Sequence, residues 1–161
     1  ILRKNYMIIL KKKFLMATQL SNQKQKIPFT ATHNNLLLVE LVVQIKEYEV
    51  GETIGYSRKG KIERKSRIGV VPIGYADGLK RELGNGNACF YVNDKAAPII
   101  GNICMDLCMV DVTDVDCKVG DNVEIFGNHI PVENLAETRG TIPYEILTSI
   151  SNRVKRVYYR E

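Results

Sequence analysis

The sequence predicts a mainly β domain: an antiparallel, barrel-like fold with one or two short helices near its C-terminus. Three observations point there. From Leu36 onward the chain consists of short β-branched apolar runs bounded by Gly, Asn, Asp and Pro, the pattern of closely spaced strands. Turn pairs such as Asn85-Gly86, Asn93-Asp94 and Gly127-Asn128 stand between the runs, which suits tight hairpins. No helical pattern of crossover length separates the runs, so parallel βαβ units are not expected.

Taken in order, residues 1–35 form a basic, polar leader that is expected to be poorly ordered. Its apolar stretch, Tyr6 to Leu10, is interrupted by Lys11-Lys12-Lys13, so neither a signal-peptide core nor a membrane span is expected. Residues 22–35 show no apolar period and read as loop. The domain proper is assigned to 36–161. Within it, 41–47 alternates Leu41, Val43 and Ile45 on one side with Val42, Gln44 and Lys46 on the other, a half-buried strand. Further strands are predicted at 67–73, 88–92, 97–101, 107–113 and 122–126. A hairpin partner at 130–132 is placed across Gly127-Asn128. Good helix formers at 132–138, and Ile146, Leu147 and Ile150 after Pro143, predict two short helices. Residues 152–158 close the fold as a strand.

With 161 residues, 45% apolar and 25% charged, the chain can build one well-cored domain, which excludes a large multidomain enzyme. The formal charge of +5 is unevenly placed. Seven of the 23 Lys and Arg lie in residues 1–30, which contain no acid. The other 131 residues therefore carry 16 basic and 18 acidic groups, a formal −2. Four cysteines without a CxxC pair read as reduced, buried thiols of a cytoplasmic protein. Cys104 and Cys108 would share a face if helical, but His33 and His129 are distant in sequence and no metal site is expected.

Three short strings place reactive or polar groups among turn residues: Gly55-Tyr56-Ser57, Gly74-Tyr75-Ala76-Asp77-Gly78, and Gly101-Asn102-Ile103-Cys104-Met105-Asp106. Read singly, each has a structural explanation, namely a surface aromatic, a core methionine or an aspartate turn cap. In their order and spacing, the stretches VGETIGYSRKG, VVPIGYADGLKR, AAPIIGNICMDLCMVDVT, VGDNVEIFG and TIPYEILTSISNRVKRVYY closely resemble the C-terminal domain of alanine racemase. The wording GYSRKG and NICMDLCM looks most like racemase domains fused behind a muramoyl-peptide ligase.

The resemblance implies a two-domain, dimeric bacterial isomerase that interconverts L- and D-alanine for peptidoglycan. In that family an N-terminal (β/α)₈ barrel holds pyridoxal phosphate on a lysine, and the β domain of the other subunit completes the site. Tyr56 matches the tyrosine that moves the α-proton on the L-alanine face. Met105 matches the residue whose backbone meets the substrate carboxylate, with Asp106 beside it. Tyr75 matches a tyrosine lining the substrate entrance, and Tyr144 one near the cofactor phosphate. Residues 1–35 do not resemble the end of the barrel, and no lysine here sits in the cofactor-lysine motif, so the 161-residue chain is expected to be inactive alone.

A second reading is a non-catalytic β-barrel binding module. Arg58, Lys59, Lys61, Arg64, Lys65 and Arg67 face a single acid, Glu63, within 58–67, a run that could attract a polyanion. Aromatic interleaving is absent after Tyr56 and the domain is slightly acidic, which favours a solvated hairpin over nucleic-acid binding.

Overall fold

The computed structural model describes residues 5–10 and 36–160, with side chains over 36–157. The predicted loop at 22–35 lies outside the described residues. Eleven strands are described: β1 (Asn5–Leu10), β2 (Leu36–Leu41), β3 (Gln44–Tyr48), β4 (Thr53–Ile54), β5 (Gly60–Lys61), β6 (Ser66–Val71), β7 (Cys89–Val92), β8 (Lys95–Pro98), β9 (Cys108–Asp111), β10 (Asn122–Phe126) and β11 (Lys155–Arg160). Two helices, α1 (Val132–Thr138) and α2 (Pro143–Ser149), fall where the sequence places them. Pro131 lacks an N–H and precedes α1, and Pro143 begins α2 with its φ already helical.

The strands form a six-stranded sheet in the order β11-β1-β2-β10-β7-β8, a three-stranded sheet β3-β6-β9, and the small hairpin β4-β5. Among the described pairs, β1 with β2 is parallel and the others are antiparallel. The two larger sheets meet at corners but do not close into a ring. At one corner Val42 N–H donates to Asp121 O (2.9 Å) while Val43 N–H donates to Val70 O (2.9 Å), so adjacent residues bond into different sheets. At the other, Ile99 bridges Val110, and Ile100 N–H donates to Met109 O at 2.9 Å.

The first corner corrects the strand predicted at 41–47. The chain bends between β2 and β3, so Val42 is buried while Leu41 and Val43 are exposed, the reverse of the predicted faces. A second correction concerns 130–132. Gly127 N–H does bond to Ile130 O (2.8 Å), but Pro131 then initiates α1 instead of extending a ladder. Cys104 and Cys108 share no helix: the first lies in a loop and the second opens β9, both are buried, and none of the four cysteines is in a disulfide.

The main core lies between the two larger sheets. Phe90 and Val92 from β7, Val123, Ile125 and Phe126 from β10, and Val110 from β9 are all buried, and Leu135 of α1 and Ile146 of α2 cover one end. A register shift between Glu124 and Phe126 against β2 lets the neighbours Ile125 and Phe126 both point inward, as a β-bulge does. A smaller cluster of Ile54, Ile62, Ile68 and Met109 underlies the β4-β5 hairpin. It is the footing of the loop that carries Tyr56.

Candidate functional site

Four of the five residues singled out in the sequence stand on interlocked loops. Gly74-Tyr75-Ala76 is stitched to the loop before β9: Tyr75 N–H donates to Cys104 O and Ala76 N–H to Met105 O, each at 3.0 Å. The approach is so close that a Cβ on Gly74 would lie 2.3 Å from Cys104 O and 2.4 Å from Met105 O. The Tyr56 segment reaches the same loop from the other side. Asn102 Nδ2 donates to Tyr56 O at 2.9 Å, and Gly55 leaves only enough room for the Met109 side chain and the Asn102 backbone.

Tyr56 sits on a kinked turn of unusual conformation. Gly55 has φ 75°, and Ser57 and Arg58 follow Tyr56 with φ 59° and 53°. Left-handed backbone at two successive non-glycine residues is strained, and such strain gathers at functional sites. Arg58 N–H closes the turn onto Gly55 O (3.1 Å), and its Nε donates to Thr53 Oγ1 (2.9 Å).

Asp106 belongs to an ion-paired trio whose other members, Asp77 and Arg153, are not among the predicted site residues. Asp77 is buried, and its Oδ2 accepts Gly74 N–H at 3.0 Å. Its Oδ1 faces Arg153 Nε at 3.6 Å, and Arg153 also hydrogen-bonds the carboxylate of Asp106. That bond to Asp106, with the charge of Asp77 adding to it, holds the Arg153 guanidinium above its already high ordinary value. The Gly-Tyr-Ala-Asp-Gly string could have suggested Asp77, because an Asp three residues after the start of a turn is placed to accept its first N–H. Arg153 had no such local signal, being 47 residues from Asp106.

Burial is the main cause that pushes the Cys104 thiol up, opposed by the Tyr56 backbone and the charge of Arg81. The Cys104 side chain is buried beside the Tyr56 and Tyr75 loops. Tyr144 is placed differently. It lies in the first turn of α2, whose last residue, Ser149, donates through Oγ to Gly78 O at 3.3 Å. The helix thus docks on the Tyr75 turn by its far end, and Tyr144 stands about one helix length from it.

The candidate side chains point outward. Tyr56 is 67% exposed, Tyr75 42%, Met105 52% and Tyr144 76%, with Leu107 and Ile142 exposed nearby in sequence. A groove of about 270 Å³ lined by Gly86, Cys89, Pro98, Ile130, Asn134 and Thr138 contains none of them. The basic run after Tyr56 is largely committed within the domain: Arg64 forms a two-pronged pair with Asp114, Lys65 reaches Glu49 (3.1 Å), and Arg67 donates to Cys117 O (2.7 Å). Among the described residues, no group of three or more His, Cys, Asp or Glu could hold a metal ion, and no helix is long and apolar enough to cross a membrane.

Comparison with known proteins converges on one family. Residues 36–158 match the family model for the C-terminal domain of alanine racemase. The chain is 48% identical over 124 residues to the alanine racemase of Clostridium kluyveri, covering 74% of this chain and 32% of that protein. It is 39% identical over 142 residues to that of Helicobacter pylori, covering 86% and 37%. Among solved structures, the biosynthetic alanine racemase of Pseudomonas aeruginosa superposes with a TM-score of 0.69 at 36% identity, over 73% of this chain and 33% of that one. The Bartonella henselae enzyme with covalently bound pyridoxal phosphate gives 0.68 at 40%, over 71% and 32%. The chain spans about a third of the length of these relatives.

Proposed function

The chain belongs to the family of alanine racemase C-terminal domains, and we propose that it supplies one half of the active site of a pyridoxal phosphate-dependent alanine racemase. The other half is the barrel of a second subunit in a dimer, in the bacterial cytoplasm. The observation that carries this reading is the contrast between backbone and side chain at the site. The loops bearing Tyr75 and Met105 are pinned to each other by two backbone hydrogen bonds and the Tyr56 loop is pinned to them by the Asn102 side-chain amide on Tyr56 O, while the phenols and thioether face outward. Rigid loops that display large apolar and phenolic groups mark a surface made to be covered.

The donor set fits the outer part of a pyridoxal phosphate site. The exposed Tyr144 hydroxyl offers a neutral O–H to a phosphate oxygen, and Tyr75 narrows the approach to a small substrate. When bound, the cofactor supplies an electron sink for the pair left behind as the α-proton is removed. Tyr56 holds or returns that proton at its Oη on the L-alanine face. As the group that takes and returns the proton, Tyr56 would rely on cations that the facing subunit brings around its Oη. The Met105 carbonyl can only accept, and takes Ala76 N–H, so the backbone group at Met105 that would meet the substrate carboxylate is its amide N–H. Asp106, neutralised by Arg153, sits beside that carboxylate without repelling it.

The test is a graft. Residues 36–161 replace the C-terminal domain of the Clostridium kluyveri racemase, and racemisation is followed by optical rotation. The grafted enzyme should turn over alanine, and Tyr56→Phe should reduce kcat by about 10²–10⁴-fold. Undiminished turnover in Tyr56→Phe would remove the assigned role.

A further inference from the structure

We propose that Asn85 is a positioning residue for Tyr56, acting through the side chain of Asn102. The inference rests on the reading of Tyr56 as the proton-transferring group.

The bonds leave one orientation. A carbonyl oxygen only accepts, so the Asn102 amide must turn its Nδ2 toward Tyr56 O, and it does so at 2.9 Å. Its Oδ1 then points the other way and needs a donor. Asn85 Nδ2 supplies it at 2.9 Å. Neither amide can be reversed without setting two like atoms against each other.

Asn85 is itself held firmly. It takes φ 56°, followed by Gly86 at φ 84°, a left-handed pair that Asn-Gly adopts readily. Asn85 N–H bonds to Gly101 O (2.8 Å) and Gly86 N–H to Ile99 O (2.7 Å). The turn is thereby clamped to the stretch that runs straight into Asn102. The consequence falls on the strained loop at the far end. With Gly55, Ser57 and Arg58 all at positive φ, the Tyr56 turn relaxes unless something outside it holds it, and the Asn102 bond crosses 46 residues to do so. The Asn85–Asn102 pair therefore fixes where the Tyr56 phenol stands relative to the substrate.

Two measurements test this. The first needs no catalysis. In the full 161-residue chain, amide hydrogen exchange at Arg58, whose N–H closes the Tyr56 turn, reports opening of that turn. Asn102→Ala removes the bond. Asn85→Asp keeps the left-handed backbone but offers only acceptors, so it captures Asn102 Nδ2 and turns Oδ1 against the Tyr56 carbonyl. Each should speed Arg58 exchange about five- to tenfold, the worth of one hydrogen bond. Asn85→Gly, which tolerates the same φ and merely drops the donor, should give a smaller rise. Wild-type exchange in all three variants, with the amide shifts of Phe90 and Phe126 showing an intact core, overturns the proposal.

The second measurement uses the graft with alanine deuterated at the α-carbon. In Asn85→Asp the isotope effect should rise for the L-isomer, whose proton leaves to Tyr56, and fall for the D-isomer. A purely structural loss of active enzyme moves neither. Unchanged isotope effects alongside a dead Tyr56→Phe overturn the positioning role and leave the Tyr56 reading standing. An active Tyr56→Phe overturns both.

Discussion

Gly74 has an extended backbone, φ −148°, which any residue can adopt, so space alone excludes a side chain there. The atoms in the way are the Cys104 and Met105 carbonyls, backbone groups that cannot swing aside like the end of a flexible side chain. Gly74→Ala must separate the Tyr75 turn from the Met105 loop and break the two hydrogen bonds that join them. Its cost should reach or exceed the ~1–3 kcal/mol usual for overpacking, read as a lower urea midpoint with an unchanged slope. Tyr56 represents the opposite case. Its ring is mostly exposed, so Tyr56→Phe should leave the unfolding free energy from urea denaturation within about 0.5 kcal/mol of wild type while sharply lowering kcat in the graft.

At the level of elements, the basic stretch after Tyr56 serves as a strap. Arg64, between β5 and β6, pairs with Asp114 beyond β9, and Lys65 pairs with Glu47 and Glu49 at the end of β3. The hydrogen bond from Arg64 is the chief cause that holds the Asp114 carboxyl below the usual carboxylate range. A carboxyl held low in the folded chain stabilises it above the unfolded value, about 4, and that contribution disappears as pH falls through the folded value. Asp114→Asn should therefore melt slightly below wild type at pH 7, and the two should converge as pH falls below the unfolded value and through the lowered folded one. The pair is exposed, so the pH 7 difference should also shrink in high salt. Glu145 behaves similarly on α2, its carboxyl lowered first by the Thr141 hydroxyl and then by Arg139, which ties the start of the helix bearing Tyr144 to the loop before it.

For the molecule as a whole, the core couples the sheets. Phe126 lies at the β10 bulge within the cluster that β7, β9, α1 and α2 share. Phe126→Ala should lose about 3–5 kcal/mol, measured by urea denaturation, and fluorescence and circular dichroism should report one transition because the two larger sheets and both helices share the main core. The smaller cluster under β4 and β5 contains only Ile54, Ile62, Ile68 and Met109 as buried residues. With so few buried side chains beneath it, the Tyr56 hairpin depends for its position on the bonds that tie it to neighbouring loops, such as Asn102 Nδ2 to Tyr56 O.

Much of this could be read along the chain. Short β-branched runs between turn residues located β6, β7, β9 and β10, proline and helix-former patterns located α1 and α2, and the order of five motifs identified the family. These are signals between near neighbours, where side-chain period and turn chemistry are local properties. The corner at Val42 and Val43 inverted the predicted faces because the sequence shows an unbroken alternation while the backbone changes sheets. The strand β1 lay hidden in a basic leader, its pairing set by β2 and β11, far away in the chain. The candidate site itself was legible as Tyr56, Tyr75, Met105, Asp106 and Tyr144. The parts that hold the first four in place, Gly74 against Cys104 O, Asn102 on Tyr56 O and Arg153 between two aspartates, were not. Those contacts join residues about 30 to 76 positions apart, and several run through amides and carbonyls that every residue type possesses, so only the folded chain could show which of them meet.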